Sequence, residues 1–322
     1  MKFVRRIIPV LVMILFIAGC AKKEVPADDT VMRVGSLKGP TSMGLVSLMK
    51  KNEEGTSEGK YDFTMAVMAD EIAAGLTGGT LDAALIPANL ASVLYNKTNG
   101  GIVVLNINTL GVLYAVTGDE TVKSVSGLAG KTVLSTGQGT TPELSLRYLM
   151  SANGITDYEI EFVSEASEAA AILAKDPSRV AVLPQPFVTA ACAQNDKLSI
   201  AFSLSEAWDQ TGSDSKMVTG VTVVRREFLD EHPEVTERFM KEHAQSVEDV
   251  QSDYEKAASL IAEYGIVEKA PVALKALPYC NLVSISGSEM KTALSGYLTV
   301  LFDQNAKSIG GALPSDDFYY GK

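Results

Sequence analysis

The chain reads as an α/β protein made of two similar lobes, and three stretches predict it. Strand-like and helix-like patterns alternate over 32–87. A strand, a glycine loop and a helix start follow one another over 131–150. A partial echo of that element lies over 33–49.

The alternation runs as a strand over 32–36, a helix over 42–50, a strand over 61–67, a helix over 70–76 and a buried strand over 81–86 ending at Pro87. Such a βαβαβ order builds a parallel sheet covered by helices. In the second stretch, 132–135 is a short strand by its β-branched content. Gly137 and Gly139 allow a sharp turn, and Thr140 or Thr141 can cap a helix whose first turn holds Pro142 and Glu143. Such a loop offers backbone N–H groups and hydroxyls to a small polar ligand, although an ordinary βα turn has the same form. The echo repeats the order: Arg33-Val34-Gly35-Ser36, then a Gly39-Pro40-Thr41-Ser42-Met43-Gly44 loop, then Leu45, Val46, Leu48 and Met49.

The chain is expected to leave the first lobe through the apolar strands 102–107 and 112–116, with the second lobe starting near Gly111. It continues with a strand over 159–163, a helix over 166–175 and a strand over 180–183, after which Pro184-Gln185-Pro186-Phe187 opens a helix over 188–194. Residues 205–216 read as a polar loop holding the only tryptophan, Trp208, and 218–224 as the strand returning to lobe one. Helices follow over 233–252, 253–264 and 287–304, with an irregular connection over 271–286 and a surface tail over 308–322. Pro87-Ala88-Asn89 and Pro184 to Phe187 both stand at carboxyl ends of strands, where ligands collect in open α/β sheets.

Lys2, Arg5 and Arg6 precede an apolar run over 7–17 and then Ala18-Gly19-Cys20, which is the pattern of a secretory signal over 1–19. Residues 20–30 are expected to be a flexible tether. A net charge of −11 and a pI near 4.8 exclude nucleic acid and a polybasic membrane patch as partners. Cys192 and Cys280 have no metal-type spacing and are expected to be buried free thiols. His232 and His243 lie in the polar stretch 227–250 and are expected to face solvent. No metal or cofactor is expected.

Ile17-Ala18-Gly19-Cys20 resembles the lipobox of bacterial lipoproteins, in which the cysteine, here Cys20, is acylated. Together with the Gly-Pro-Thr-Ser-Met-Gly loop, Asp82 to Ala88, the segment 106–112, Leu128-Ala129-Gly130-Lys131-Thr132-Val133, Gly137 to Glu143 and Pro-Gln-Pro-Phe, it makes the chain resemble the type II solute-binding proteins of ABC transporters. The similarity is to their sulfonate, nitrate, taurine and thiamine-precursor branch. What this implies is a two-lobe periplasmic-binding-protein type II fold, each lobe a mixed sheet flanked by helices, with a two-crossing hinge. Lobe one would be 30–108 plus 218–322, and the inserted lobe two 109–217.

The implied function is the extracytoplasmic substrate-binding component of an importer. It would be anchored by lipid to the bacterial cell membrane, capture a small polar organic molecule as a monomer, and hand it to an ABC permease and its ATPase. Carried over by position, lobe one contributes Pro40, Thr41, Ser42 and Met43, then Pro87, Ala88 and Asn89. Lobe two contributes Gly137, Gln138, Gly139, Thr140 and Thr141, then Gln185, Pro186 and Phe187. Thr109, Tyr114, Met217 and Thr219 line the hinge by the same logic. Many relatives have an acid where this chain has Gln185, and the predicted loops hold no histidine or arginine, so a neutral or weakly anionic ligand is favoured. Some members of the superfamily catalyse menaquinone or pyrimidine synthesis. With no histidine in a cleft loop, and with an export signal, this chain is expected not to be an enzyme.

Overall fold

A computed structural model of the chain describes residues 28–321. The signal and Cys20 lie outside the described residues. Asp28 to Thr30, expected to be tether, are instead tied down: the Asp28 carboxylate lies 2.7 Å from His232 Nδ1, and Arg238 donates to the Asp28 carbonyl.

The chain enters on β1 (Val31–Leu37), followed by the short α1 (Pro40–Met43) and α2 (Val46–Glu53). Next come β2 (Lys60–Ala66), α3 (Ala69–Thr77), β3 (Ala83–Pro87), α4 (Ala88–Lys97) and β4 (Ile102–Leu110). It then crosses to a second sheet built from β5 (Leu113–Thr117), β6 (Thr132–Ser135), α5 (Thr141–Ala152), β7 (Glu159–Phe162) and α6 (Ala166–Lys175). That sheet closes with β8 (Val180–Pro184), α7 (Phe187–Gln194), β9 (Ser199–Ser203) and α8 (Leu204–Asp209). The return is β10 (Val218–Arg225), followed by α9 (Arg226–Glu231), α10 (Pro233–Ser252), α11 (Tyr254–Glu263), α12 (Ala270–Ala276), β11 (Leu282–Ile285) and α13 (Gly287–Gln304).

The first sheet has the order β11-β4-β10-β3-β1-β2 and the second β7-β6-β8-β5-β9. Each contains a parallel trio with the strand before the glycine loop at its centre: β2-β1-β3 in one and β7-β6-β8 in the other. In each, an antiparallel strand follows, β10 beside β3 and β5 beside β8. The two-lobe mixed-sheet fold expected from sequence is therefore present, and the echo at Gly39 has its counterpart at Gly137. Because β10 and β5 run against their trios, the chain can leave and re-enter at the strand ends that carry the glycine loops.

Alternation on the strands of the first sheet fills two cores. Val34, Leu85, Val103 and Leu105 pack with Leu48 and Phe239 on the α2 and α10 side. Ala84, Ile86, Val104 and Val221 pack with Met290, Leu294 and Tyr297 of α13, and that cluster continues into Leu113, Val133, Leu146 and Trp208 of the second sheet. Helix α13 thus joins the sheets as a third connection: the Tyr297 ring lies 5.4 Å from Trp208, and a Cβ on Gly296 would sit 2.6 Å from Ser215 Cβ.

Three local expectations are corrected. Trp208 is fully buried on α8, not in a polar loop, and its indole N–H donates to Ser215 Oγ at 2.9 Å. The segment 308–322 is no surface tail, because Phe318 and Tyr319 are buried and Tyr319 bridges to Val104. The connection over 271–286 contains α12 and β11.

Candidate functional site

At the end of β1, Gly39 (φ +137°) turns the chain into α1. The hydroxyls there serve the loop itself: Thr41 Oγ1 donates to the Leu37 carbonyl at 3.2 Å, and Ser42 Oγ to the same carbonyl, lying 2.6 Å from Ser36 Oγ. Thr41, Ser42 and Met43 are buried. The Thr41 methyl packs over Gly220 of β10, where a Cβ would overlap it and fall 2.6 Å from Asn108 Oδ1. Asn108 donates to Thr222 Oγ1 at 3.1 Å and accepts from Thr109 Oγ1 at 2.8 Å. Pro87 pairs with Gly220 across the sheet. Behind this knot, Asn106 Nδ2 lies 3.3 Å from His243 Nδ1 and 3.1 Å from Ser284 Oγ, while Asn106 Oδ1 and His243 Nε2 have no partner. His243 does not face solvent as expected. It is fully buried, and burial pushes its pKa down to about 4.

The crossing between sheets is equally close. A Cβ on Gly111 would lie 2.6 Å from Ser205 Oγ and 2.9 Å from Met217 Sδ, so the outgoing and returning segments touch there. Gln185 N–H donates to the Val112 carbonyl at 3.1 Å, and Leu110 N–H to Asn281 O at 3.0 Å. Tyr114 donates its hydroxyl proton to the Tyr279 carbonyl at 2.7 Å, the two rings edge-on at 6.0 Å, and burial raises the Tyr114 pKa. Gln185 is buried with its Nε2 unpartnered, its bond to Pro186 is cis, and Phe187 beside it is exposed. Met217 is buried and Thr219 half-buried.

The glycine loop of the second sheet differs from expectation. Gly137 and Gly139 do adopt positive φ, +67° and +75°. But the Gly139 N–H donates to Glu143 Oε2 at 2.6 Å, and Thr140 Oγ1 donates to the Gly137 carbonyl at 2.6 Å rather than capping α5. The loop thus fills one of its own N–H groups with its own carboxylate, which Arg147 holds from the other side at 2.6 Å. Thr141 and Ser145 face the buried Tyr297 hydroxyl of α13, whose pKa burial pushes up to about 12. Asn89 donates to the Ser308 carbonyl at 3.3 Å.

Contacts at Gly220 thus join Thr41, Pro87 and Thr109, while at the crossing Met217 lies against Gly111, Gln185 bonds to Val112 and Tyr114 pairs with Leu183. Gln138, Gly139 and Thr140 are exposed, the last two bonded to Glu143 and Gly137 beside them, and Asn89 is turned to the C-terminal segment. Asn106, Asn108, Gly220, His243 and Asn281 are not among the site residues expected from sequence. The signal was there for two of them: Asn106 and Asn108 interrupt the apolar run of β4. Cys280 is a buried thiol and Cys192 a half-buried one, both free. Among the described residues, no group of three potential ligands is placed to hold a metal, and no helix is long and apolar enough to cross a membrane.

A family model described as menaquinone biosynthesis matches residues 33–300. The chain belongs to that menaquinone-biosynthesis family. Membership overturns the expectation that this chain is not an enzyme, since the family is one of biosynthesis. No curated protein matches the sequence. Among solved structures, this family member is similar to an ABC transporter protein from Parabacteroides distasonis, with a TM-score of 0.78 and 22% identity over 90% of this chain and 99% of that one. It is also similar to the periplasmic aliphatic sulphonate binding protein SsuA from Escherichia coli, at 0.69 and 15% over 88% and 92%. A putative nitrate transport protein from Thermoplasma volcanium matches at 0.55 and 13% over 86% and 94%. The binding-protein fold anticipated from the sequence motifs is the fold these neighbours share.

Proposed function

We propose that this chain captures a small polar organic molecule between its two sheets, as the extracytoplasmic substrate-binding component of an ABC importer. The observation that carries the reading is that the buried Thr41 and Thr109 around Gly220 and the buried, unpartnered Gln185 amide flank the crossing between the two sheets. Lobe one is 30–108 plus 218–322 and lobe two 109–217, and closure is favoured by a ligand that touches both. The neighbours' names, one a sulphonate binder and one a putative nitrate transporter, support a permease and its ATPase as partners. Lipidation at Cys20 would hold the chain at the membrane outside the cytoplasm.

Family membership favours a second reading, catalysis on the captured molecule. One experiment tests both. The chain is purified under non-denaturing conditions, its bound molecule is identified by native mass spectrometry, and the complex is incubated. A small-molecule adduct of unchanged mass supports capture, and conversion supports catalysis. Absence of any adduct, with no thermal stabilisation by sulfonates, nitrate or pyrimidines, would remove ligand capture altogether. A ligand at 100 times its Kd should stabilise by about 2.7 kcal/mol.

A further inference from the structure

The outgoing crossing is gripped by one short segment, 279–282, which leads into β11. Leu282 pairs with Thr109 of β4, and the Asn281 carbonyl accepts the Leu110 N–H at 3.0 Å. The Asn281 side chain donates to the Gly111 carbonyl at 2.5 Å, and the Tyr114 hydroxyl of the second sheet donates to the Tyr279 carbonyl. Asn281 has φ +45°, a left-handed conformation that asparagine tolerates better than most residues, and its carbonyl and side chain reach consecutive residues of the crossing. Against this clamp lies a cavity of about 270 Å³. Leu110, Pro278 and Val283 give it apolar walls, while Gln251, Tyr254 and Asn281 supply its polar groups. None of the ligand contacts expected from sequence lines it, and neither does any charged side chain. The larger cavities among the described residues each hold lysine or arginine beside carboxylates. A wall without charge disfavours an ion, and the volume is below the roughly 300–1,000 Å³ usual for drug-sized ligands. Gln251 Nε2 donates to the Leu282 carbonyl at 2.7 Å, so the Gln251 Oε1 is the acceptor left for a ligand.

We infer that this cavity is an effector site for a small neutral molecule with an apolar body and one hydroxyl, and that filling it holds the Asn281 clamp on the crossing. A molecule that binds beside the closed clamp and not the released one shifts the two sheets toward the arrangement in which the clamp is made. The inference stands apart from what is captured between the sheets. Phenol is the probe, with toluene lacking the hydroxyl and benzoate adding a charge. Each is titrated calorimetrically into wild type, Gln251→Trp and Gln251→Leu, and amide exchange of the peptide spanning 108–112 is followed by mass spectrometry. Residue 251 is exposed on α10, so both exchanges suit the fold, and melting temperatures check it. Wild type should bind phenol about fivefold more tightly than toluene, the worth of one hydrogen bond, and benzoate more weakly still. Phenol at ten times its Kd should slow exchange at Leu110 about tenfold. Gln251→Trp fills the cavity and should lose phenol, whereas Gln251→Leu should lose only the preference for phenol over toluene. Phenol affinity unchanged in Gln251→Trp overturns the site. If that variant melts early, Gln251→Leu decides, and an unchanged preference for phenol overturns the site. Benzoate binding as tightly as phenol overturns the neutral class, and bound phenol with unchanged exchange at Leu110 overturns the effector role. No saturable binding of phenol or toluene to wild type overturns the inference outright.

Discussion

The two glycine loops follow equivalent central strands, yet they end in opposite states. The Gly39 loop is sunk into the first sheet, its hydroxyls bonded to Leu37 and Ser36 and its threonine methyl pressed on Gly220. The Gly137 loop is open to solvent at Gln138, Gly139 and Thr140, and carries its own carboxylate against Gly139. The same order of strand, glycine and helix start sets the backbone path but not the use of the donors. In the second sheet the unpaired donor lies one trio strand over, at Gln185. The difference teaches that a βα glycine loop is a ligand loop only when its N–H groups are left vacant.

The largest expected effect comes from the buried support behind the first loop, which the second loop lacks. His243 is neutral in the fold, packed among Asn106, the stacked ring of Phe239 and the backbone at Gly44. Its pKa drops from 6.5 to about 4 on burial, so below pH 6.5 the unfolded chain takes up a proton that the native one refuses. Stability from this group therefore falls as pH drops from 6.5 toward 4, by about 3 kcal/mol at pH 4. Urea unfolding at pH 7.5 and pH 4 should show that loss in wild type and not in His243→Asn. An equal acid loss in both would mean that the first loop has no such titrating support.

A glycine exchange in each region sharpens the contrast. Alanine at Gly220 puts a methyl into Thr41 and Asn108, in a buried strand with little room to yield, and should cost about 2 kcal/mol. Alanine at Gly139 meets nothing within 4 Å and suffers only its positive φ, worth about 1 kcal/mol. Denaturant midpoints rank the pair. Ligand affinity should fall in Gly220→Ala and hold in Gly139→Ala, and the reverse order would move the working loop to the second sheet.

These contrasts mark where sequence was legible. Backbone order came through: strand periodicity, the two glycine loops, the proline turns after β3 and β8 and the helix over 287–304 all stand near their expected places. Side-chain destinations came through less well, because they depend on partners far along the chain. Glu143 was seen in a first turn, but nothing local shows whether it reaches back to Gly139 or outward. His243 looked solvated because its helix is polar on average, and only packing against β4 buries it. Phe318 and Tyr319 sit in a polar stretch whose burial requires β4 and α4 to be in place.

The smallest effect is also the one that tests the loop contrast most directly. In Glu143→Ala the carboxylate leaves Gly139 N–H and Arg147, so α5 loses a first-turn acid and one charge-assisted bond, about 1 kcal/mol of stability. The same change vacates the loop. If occupancy by Glu143 is what keeps this loop from acting as an anion site, the variant should bind propanesulfonate more tightly than wild type does. Calorimetric titration of the two proteins reads it out: tighter binding attributes the loop's silence to its own carboxylate. Equal binding would mean that backbone geometry, not the acid, separates the two loops.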